Sequence, residues 1–194
     1  QAGRWDLNNA IQEGGDNASY QRWLGTKDRF QPYNLSTTGR DTTANYMGAE
    51  LNYSHSKLDL GASYRQFQSD AFKGSAIFNQ GIYGYKANKD KASIWSVGGK
   101  YAFTKSLALK GAYASNNEAD QFKNGYNIQL DYKGADRNNA HTWGMYAAYR
   151  SVGQNVGLAP TYDTYIANTK GWGAGIGYVP FKNTLTEIGY FDGK

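Results

Sequence analysis

The chain has 194 residues, including 24 glycines and 17 tyrosines, and its mean hydropathy is -0.73. No stretch approaches the roughly 18 consecutive apolar residues of a transmembrane helix, which excludes a helical membrane protein. The absence of cysteine excludes a disulfide framework and cysteine metal sites. A net charge of +5, carried by scattered lysines and arginines, lacks the basic run of a nucleic-acid binder, so no nucleic-acid partner is expected.

The first 41 residues form a distinct segment because they show no sustained alternation of apolar and polar residues. We predict a loop here, either folded into the interior of the protein or lying on its surface. Asp6–Gln12 has the potential for one or two helical turns, and Gly14–Asn17 is typical of a turn. An alternative for Ser19–Leu24 is a short strand.

Residues 42–194 alternate apolar and polar side chains, and a period of two predicts strands. We predict eight of them: Thr42–Tyr53, Leu58–Gln68, Ala92–Phe103, Leu107–Ser115, Gly125–Lys133, Ala140–Arg150, Gly171–Val179 and Thr184–Phe191. Their connections alternate between short and long along the chain. All three prolines, Pro32, Pro160 and Pro180, fall outside the strands, as ladder hydrogen bonding requires.

This alternation of connection lengths predicts an antiparallel up-and-down transmembrane β-barrel, with tight periplasmic turns at one end and long extracellular loops at the other. Such a barrel is hydrophilic on average because only every second residue faces lipid. With the short turns in the periplasm, the chain enters and leaves the strands on the extracellular side. Gln1–Leu24 has no signal-peptide pattern. We therefore expect a mature form or an internal portion of a larger barrel, although a complete small barrel is not excluded.

The two parities of the strands differ in chemistry. One is free of charge, whereas the other carries Glu50, Asp59, Arg65, Lys100, Lys110, Asp131, Arg150 and Glu187. A lysine or arginine facing lipid at mid-bilayer costs about 2–4 kcal/mol, so we expect the uncharged parity to face lipid. The eight charged residues are then predicted to line the lumen. Many other lumen positions are small, which favours a wide, water-filled barrel over one packed with side chains.

Aromatic residues recur six positions apart on the uncharged parity: Trp95/Tyr101, Tyr126/Tyr132, Trp143/Tyr149 and Trp172/Tyr178. Six strand residues span about 20 Å, or roughly 15 Å of height at a tilt near 40°. We predict an aromatic girdle at the two membrane surfaces. It comprises Tyr53, Tyr64, Trp95, Tyr101, Tyr113, Tyr126, Tyr132, Trp143, Tyr149, Trp172, Tyr178 and Tyr190. The alternative is that tyrosine and tryptophan are good strand formers on a sandwich face.

Two hairpin segments carry a family resemblance. Val97–Tyr113, with Phe103-Thr104-Lys105-Ser106 at its turn, and Gly177–Leu185 resemble hairpins of general Gram-negative porins. The pattern of residues 42–194 is similar to OmpM-type porins, whose amino-terminal S-layer-homology domain tethers the outer membrane to the cell wall. The resemblance implies an outer-membrane location, lipid contact, passive diffusion of small hydrophilic solutes and a homotrimer.

Catalytic chemistry has little support in the sequence. His55 lies in a predicted turn, and His141 shares parity with Trp143 and is expected at the lipid interface. No metal, cofactor or catalytic residue is therefore predicted, although a lipid-modifying barrel enzyme is one alternative. The other is a small closed barrel with a structural or adhesive role through its loops. Four acidic and four basic lumen residues predict weak ion selectivity.

Overall fold

The computed structural model describes residues 2–6, 43–69, 90–119, 122–153, 156 and 169–194. Strands are the regular structure of these residues: β1 (Ala2–Asp6), β2 (Thr43–His55), β3 (Leu58–Gln68), β4 (Lys91–Ala102), β5 (Leu107–Asn116), β6 (Asn124–Lys133), β7 (Trp143–Val152), β8 (Lys170–Tyr178) and β9 (Thr186–Gly193). In this part of the chain no helix has the length and apolar character to span a membrane.

The nine strands form one antiparallel sheet in which every strand pairs with its neighbours in the chain. This confirms the predicted all-β, up-and-down arrangement. Within the described residues β1 and β9 are the edges, so the sheet is open. The connections 56–57, 103–106, 134–142 and 179–185 lie at one end of the sheet, and the remaining four lie at the other. The predicted separation of short from long connections holds only in part, because 134–142 spans nine residues whereas 117–123 at the opposite end spans seven. We call these ends the turn side and the loop side.

Strand β1 was not predicted, and the expectation of eight strands is corrected to nine. Residues 2–6 belong to the sheet, with Gly3 opposite Tyr46 of β2, and Asp6 is the last residue of the strand. The rest of the predicted helical segment, residues 7–12, lies outside the described residues. Five residues are too few to show alternation, and their conformation depends on pairing with a distant strand. Gly14–Asn17 and Ser19–Leu24 lie outside the described residues.

The boundary of β7 also differs from the prediction, since the strand begins at Trp143 and not at Ala140. Asp136 and Thr142 hold residues 134–142 in a turn. The Asp136 amide donates to Thr142 Oγ1 at 2.9 Å, and that hydroxyl donates to the Asn139 carbonyl at 2.8 Å. The Asn138 amide donates to the Asp136 carboxylate at 3.0 Å and lowers the pKa of Asp136 below its usual value. These bonds satisfy backbone groups that a strand would otherwise pair.

The sheet has no conventional apolar core in the described residues. The buried apolar side chains include small ones such as Ala44, Ala92 and Ala148, together with Phe67 and Val179. Phe67 packs against Tyr46 with ring centroids 5.0 Å apart. Most large apolar side chains of the strands are instead exposed, and their arrangement defines the candidate site.

Candidate functional site

The sheet has two faces of opposite character, and cross-strand pairing keeps them separate from β2 to β9. Leu51, for example, lies opposite Ala62, which lies opposite Val97. The exposed large apolar side chains of this face are Met47, Leu51, Tyr53, Leu60, Val97, Tyr101, Leu109, Ile128, Leu130, Tyr132, Met145, Trp172, Ile176, Tyr178, Ile188 and Tyr190, continued by Phe103 in the β4–β5 turn. We call it the apolar face. Leu51 is 73% exposed and Ile188 is 69% exposed, although soluble proteins bury such residues.

The predicted girdle residues lie on the apolar face in two groups. The loop-side belt comprises Tyr64, Trp95, Tyr113, Tyr126, Tyr149, Trp172 and Tyr190, and the turn-side belt comprises Tyr53, Tyr101, Tyr132, Trp143 and Tyr178. Within the loop-side belt, Tyr149 contacts both Tyr126 and Trp172, with ring centroids 6.0 and 5.0 Å apart. In the turn-side belt the Tyr132 and Trp143 rings are 5.9 Å apart. The belts therefore run across neighbouring strands.

The register explains how each belt stays level. In strand pairs joined on the loop side, the residues of the loop-side belt lie directly opposite one another: Tyr64 with Trp95, Tyr113 with Tyr126, and Tyr149 with Trp172. In strand pairs joined on the turn side, the belt residues of the two strands are offset by two residues, since Trp95 pairs with Ser115 and not with Tyr113. The same offset separates Tyr126 from Tyr149. The belt thus shifts by two residues along the strand direction for every two strands that it crosses. This shift corresponds to a strand tilt of about 35°, the value typical of barrel strands.

The opposite face is concave and charged, and we call it the hollow face. Two hollows of about 660 and 810 Å³ open on it. Each of the eight charged residues predicted to line a lumen borders one of them. Glu50, Asp59 and Arg65 border the first, Lys110, Asp131, Arg150 and Glu187 border the second, and Lys100 borders both.

Two pairs of these charges neutralise each other on the hollow face. Arg65 Nη2 lies 3.6 Å from Glu50 Oε2, and both side chains are about half exposed. Lys110 Nζ lies 2.6 Å from Asp131 Oδ2, which is buried. Both pairs are diagonal neighbours across adjacent strands.

Arg150 lies on the hollow face as predicted, but it is only 5% exposed. Its Nε donates to Asn127 Oδ1 at 3.0 Å, and its Nη2 donates to Gln129 Oε1 at 2.8 Å. Gln129 Nε2 in turn donates to Asp131 Oδ1 at 2.6 Å. Arg150 is therefore part of a connected network that continues to Lys110, and its main role is to brace the wall.

Replacing Arg150 with alanine is expected to destabilise the sheet by about 2–4 kcal/mol, because it leaves the Asn127 and Gln129 amide oxygens without these donors. Lys100→Ala is the matched control, since it removes an exposed cation from the same face and should cost less than about 0.5 kcal/mol. Equilibrium urea unfolding measures both. Equal midpoints for the two variants would show that the network does not stabilise the wall.

Tyr146 packs against Arg150 from a position four residues earlier on β7. The Arg150 guanidinium carbon lies 5.3 Å from the Tyr146 ring centroid, a cation–π contact. The ring covers Gly175, its partner on β8, so closely that a Cβ there would lie 2.8 Å from Tyr146 Cζ. Glycine at this position allows the tyrosine to lie flat against the wall.

Gly175→Ala is expected to destabilise the sheet by about 1–3 kcal/mol because the added methyl group collides with the Tyr146 ring. Gly173 provides the control on the same strand and face. Its Cβ would meet Tyr190 O at 3.5 Å, an ordinary contact, so Gly173→Ala should be neutral or stabilise by up to about 1 kcal/mol. Thermal unfolding distinguishes them, and equal Tm values would contradict the predicted collision.

Three of the eight predicted charges differ from the other five because they are neither paired nor buried in the described structure. Within the described part of the chain, Asp59, Lys100 and Glu187 form no ion pair. All three are exposed. These charges could be identified from the sequence, but the neutral side chains that immobilise Arg150 could not. Asn127 and Gln129 share its parity on the preceding strand, and that was the available signal.

The histidines occupy the turn side of the sheet. His141 Nδ1 lies 3.0 Å from Tyr178 Oη, beside the turn-side belt, and the His55 ring lies 6.4 Å from the Tyr53 ring. Neither faces a hollow. The described residues contain no group of three or more histidine, aspartate or glutamate side chains that could hold a metal ion.

The two faces of the sheet thus present distinct surfaces, one apolar with aromatic margins and one concave with charges. No protein-family model matches this chain, and no curated protein matches it.

Proposed function

We propose that this chain forms part of the wall of an outer-membrane porin, through which small hydrophilic solutes and ions diffuse passively. The observation that carries the proposal is the inverted exposure of the sheet. Large apolar side chains such as Leu51 and Ile188 are exposed, whereas Arg150 is buried on the other face. Burying a large apolar side chain is worth about 1.5–3 kcal/mol, so an apolar face of this size needs a non-aqueous neighbour.

Lipid is the neighbour that best accounts for the aromatic belts. A second protein sheet would require apolar contact across the whole face and gives no reason for rings at two levels. In a membrane, tyrosine and tryptophan collect at the two headgroup regions, with aliphatic residues between them. Val97, Leu109 and Leu130 occupy the region between the belts. The offset of two residues per hairpin keeps both belts level, as a tilted barrel wall requires.

Water is the medium that suits the hollow face. Asp59, Lys100 and Glu187 are charged and exposed there, and ions of this kind are stable next to water and costly next to hydrocarbon. Small residues such as Ala112 leave room beside them. In the proposed pore the backbone groups of the edge strands β1 and β9 are also paired, because unpaired groups do not occur in contact with lipid. A homotrimer is the proposed assembly.

Conductance in planar bilayers tests the proposal. The protein should give stepwise, water-filled conductance, and Ala112→Trp should reduce each step because the indole projects into the first hollow. Gly111→Trp is the matched control on the adjacent residue, where the Cβ would point to the apolar face and meet nothing closer than 3.9 Å. A protein that inserts without conducting, or that responds equally to both variants, would overturn the pore assignment.

A further inference from the structure

The turn side of the sheet carries a concentration of positive charge. Each of its four connections, or the strand end beside it, contributes a lysine or arginine: Lys57, Lys105, Lys133, Arg137 and Lys182. All five are exposed, and we call them the basic rim. Asp136 is the acidic residue in these connections, and its carboxylate accepts hydrogen bonds from the backbone amide of Asn138 and from the side-chain amides of Asn138 and Asn139.

Lys133 shows which way the basic rim is directed. By register it lies opposite Gly144 on the hollow side, but it ends β6 with a left-handed φ of 57°. Its Nζ lies 4.4 Å from the Trp143 ring centroid and 5.7 Å from that of Tyr132. Both rings belong to the turn-side belt, so this ammonium sits at the margin of the apolar face, although the residue also borders the second hollow.

We propose that the basic rim binds the phosphates of anionic phospholipids at the membrane surface on the turn side. The inference rests on the membrane contact in the proposed function and adds a lipid preference to it. If the turn-side belt lies at headgroup level, the adjoining cations lie among the lipid phosphates. Each cation in this position raises the affinity of the protein for an anionic membrane surface by about fivefold, and several cations on one rim act together. Lys57 adds rigidity, since its Nζ donates to the Phe103 carbonyl at 3.2 Å and links two turns.

Tryptophan quenching by brominated lipids tests this preference at the site itself. Trp143 is kept as the reporter, and the other tryptophans, Trp5, Trp23, Trp95 and Trp172, are replaced with phenylalanine. The full chain is inserted into phosphatidylcholine vesicles that contain either brominated phosphatidylglycerol or brominated phosphatidylcholine at the same mole fraction. Because both leaflets have the same composition, the direction of insertion does not matter. Brominated phosphatidylglycerol should quench Trp143 at least about twofold more strongly.

Two matched variants decide which residues are responsible. Replacing Lys57, Lys105, Lys133 and Lys182 with glutamine should abolish the excess quenching. Replacing Lys91, Lys123, Lys170 and Lys194 on the loop side removes the same charge and should preserve it. Raising the salt concentration should also weaken the excess because the rim is exposed.

The outcomes separate this inference from the proposed function. Equal quenching by the two brominated lipids, or excess quenching that survives loss of the rim lysines, overturns the lipid preference and leaves membrane contact intact. If neither lipid quenches Trp143, the apolar face does not contact lipid and both proposals fail. Inorganic phosphate at matched ionic strength should leave the excess unchanged. Its abolition by phosphate would identify a site for free anions and overturn the assignment to lipid.

Discussion

Leu130→Arg is expected to prevent or severely impair insertion of the sheet into a bilayer. Leu130 lies on the apolar face of β6, between the belt residues Tyr126 and Tyr132, and is flanked by Leu109 and Ala147. An arginine near the bilayer midplane of a barrel wall costs about 2–4 kcal/mol. Insertion into preformed phosphatidylcholine vesicles, followed by urea titration of the inserted protein, measures the loss.

The control for this prediction places the same charge on the other face. Ala112→Arg adds an arginine beside the first hollow, where the side chain meets water, so insertion should be nearly unchanged. Equal insertion of the two variants would show that lipid does not distinguish the faces and would remove the basis of the proposed function. Because each variant adds one arginine within the sheet, overall charge cannot explain a difference.

The faces of the sheet could be predicted because strand side chains alternate strictly. Once a segment such as Trp95–Tyr101 is recognised as a strand, residues two apart must share a face. The aromatic spacing of six follows from the same geometry and needs no knowledge of the partner strand. The separation of short and long connections could be predicted only in part, because the strands beside 134–142 and 117–123 do not end where the alternation stops.

The pairing of charges could not be predicted, because it depends on register. The alternation predicts that Glu50 and Arg65 face the same side, but they form an ion pair only because Arg65 lies opposite Gly48. The burial of Arg150 has a similar origin, since its partners Asn127 and Gln129 come from another strand. The alternation of apolar and polar residues predicts the face on which an arginine lies, but it does not distinguish a buried, hydrogen-bonded arginine from an exposed one.

Strand β1 marks a second limit of sequence reasoning. Its residues contain Arg4 and Gly3, which have no strong strand preference, and the partner strand begins at Thr43. A short edge strand of this kind is stabilised by hydrogen bonds to a strand that already exists, and local sequence carries little of that information.

Pairing also changes the expectation for ion selectivity. The sequence counts four acidic against four basic residues, but Glu50–Arg65 and Lys110–Asp131 neutralise each other and Arg150 is buried. Of the eight strand charges, Asp59, Lys100 and Glu187 then remain exposed and unpaired within the described residues, and Lys105 and Lys133 of the basic rim border the second hollow. The proposed pore should therefore be weakly selective, and Lys100, which borders both hollows, should be a principal obstacle to cations.

Lys100→Glu is expected to raise the cation-to-anion permeability ratio by about fivefold at low salt. Lys100 borders both hollows and forms no ion pair within the described residues, although Asp59 lies opposite it on β3. Reversing its charge changes the energy of a monovalent ion roughly 15 Å away by about 0.5 kcal/mol in water, in opposite directions for a cation and an anion, and the combined difference of about 1 kcal/mol corresponds to this ratio. The reversal potential across a potassium chloride gradient measures it.

Three comparisons make the effect specific to this position. Lys100→Gln should produce about half the change in free energy, because it removes one unit of charge and adds none. Lys123→Glu, which makes the same substitution on the loop side away from the two hollows, should leave the reversal potential nearly unchanged. Raising the salt to about 1 M should reduce the effect of Lys100→Glu, since the screening length falls to about 3 Å. If the reversal potential changed with Lys123→Glu but not with Lys100→Glu, the conducting path would lie outside the hollow face.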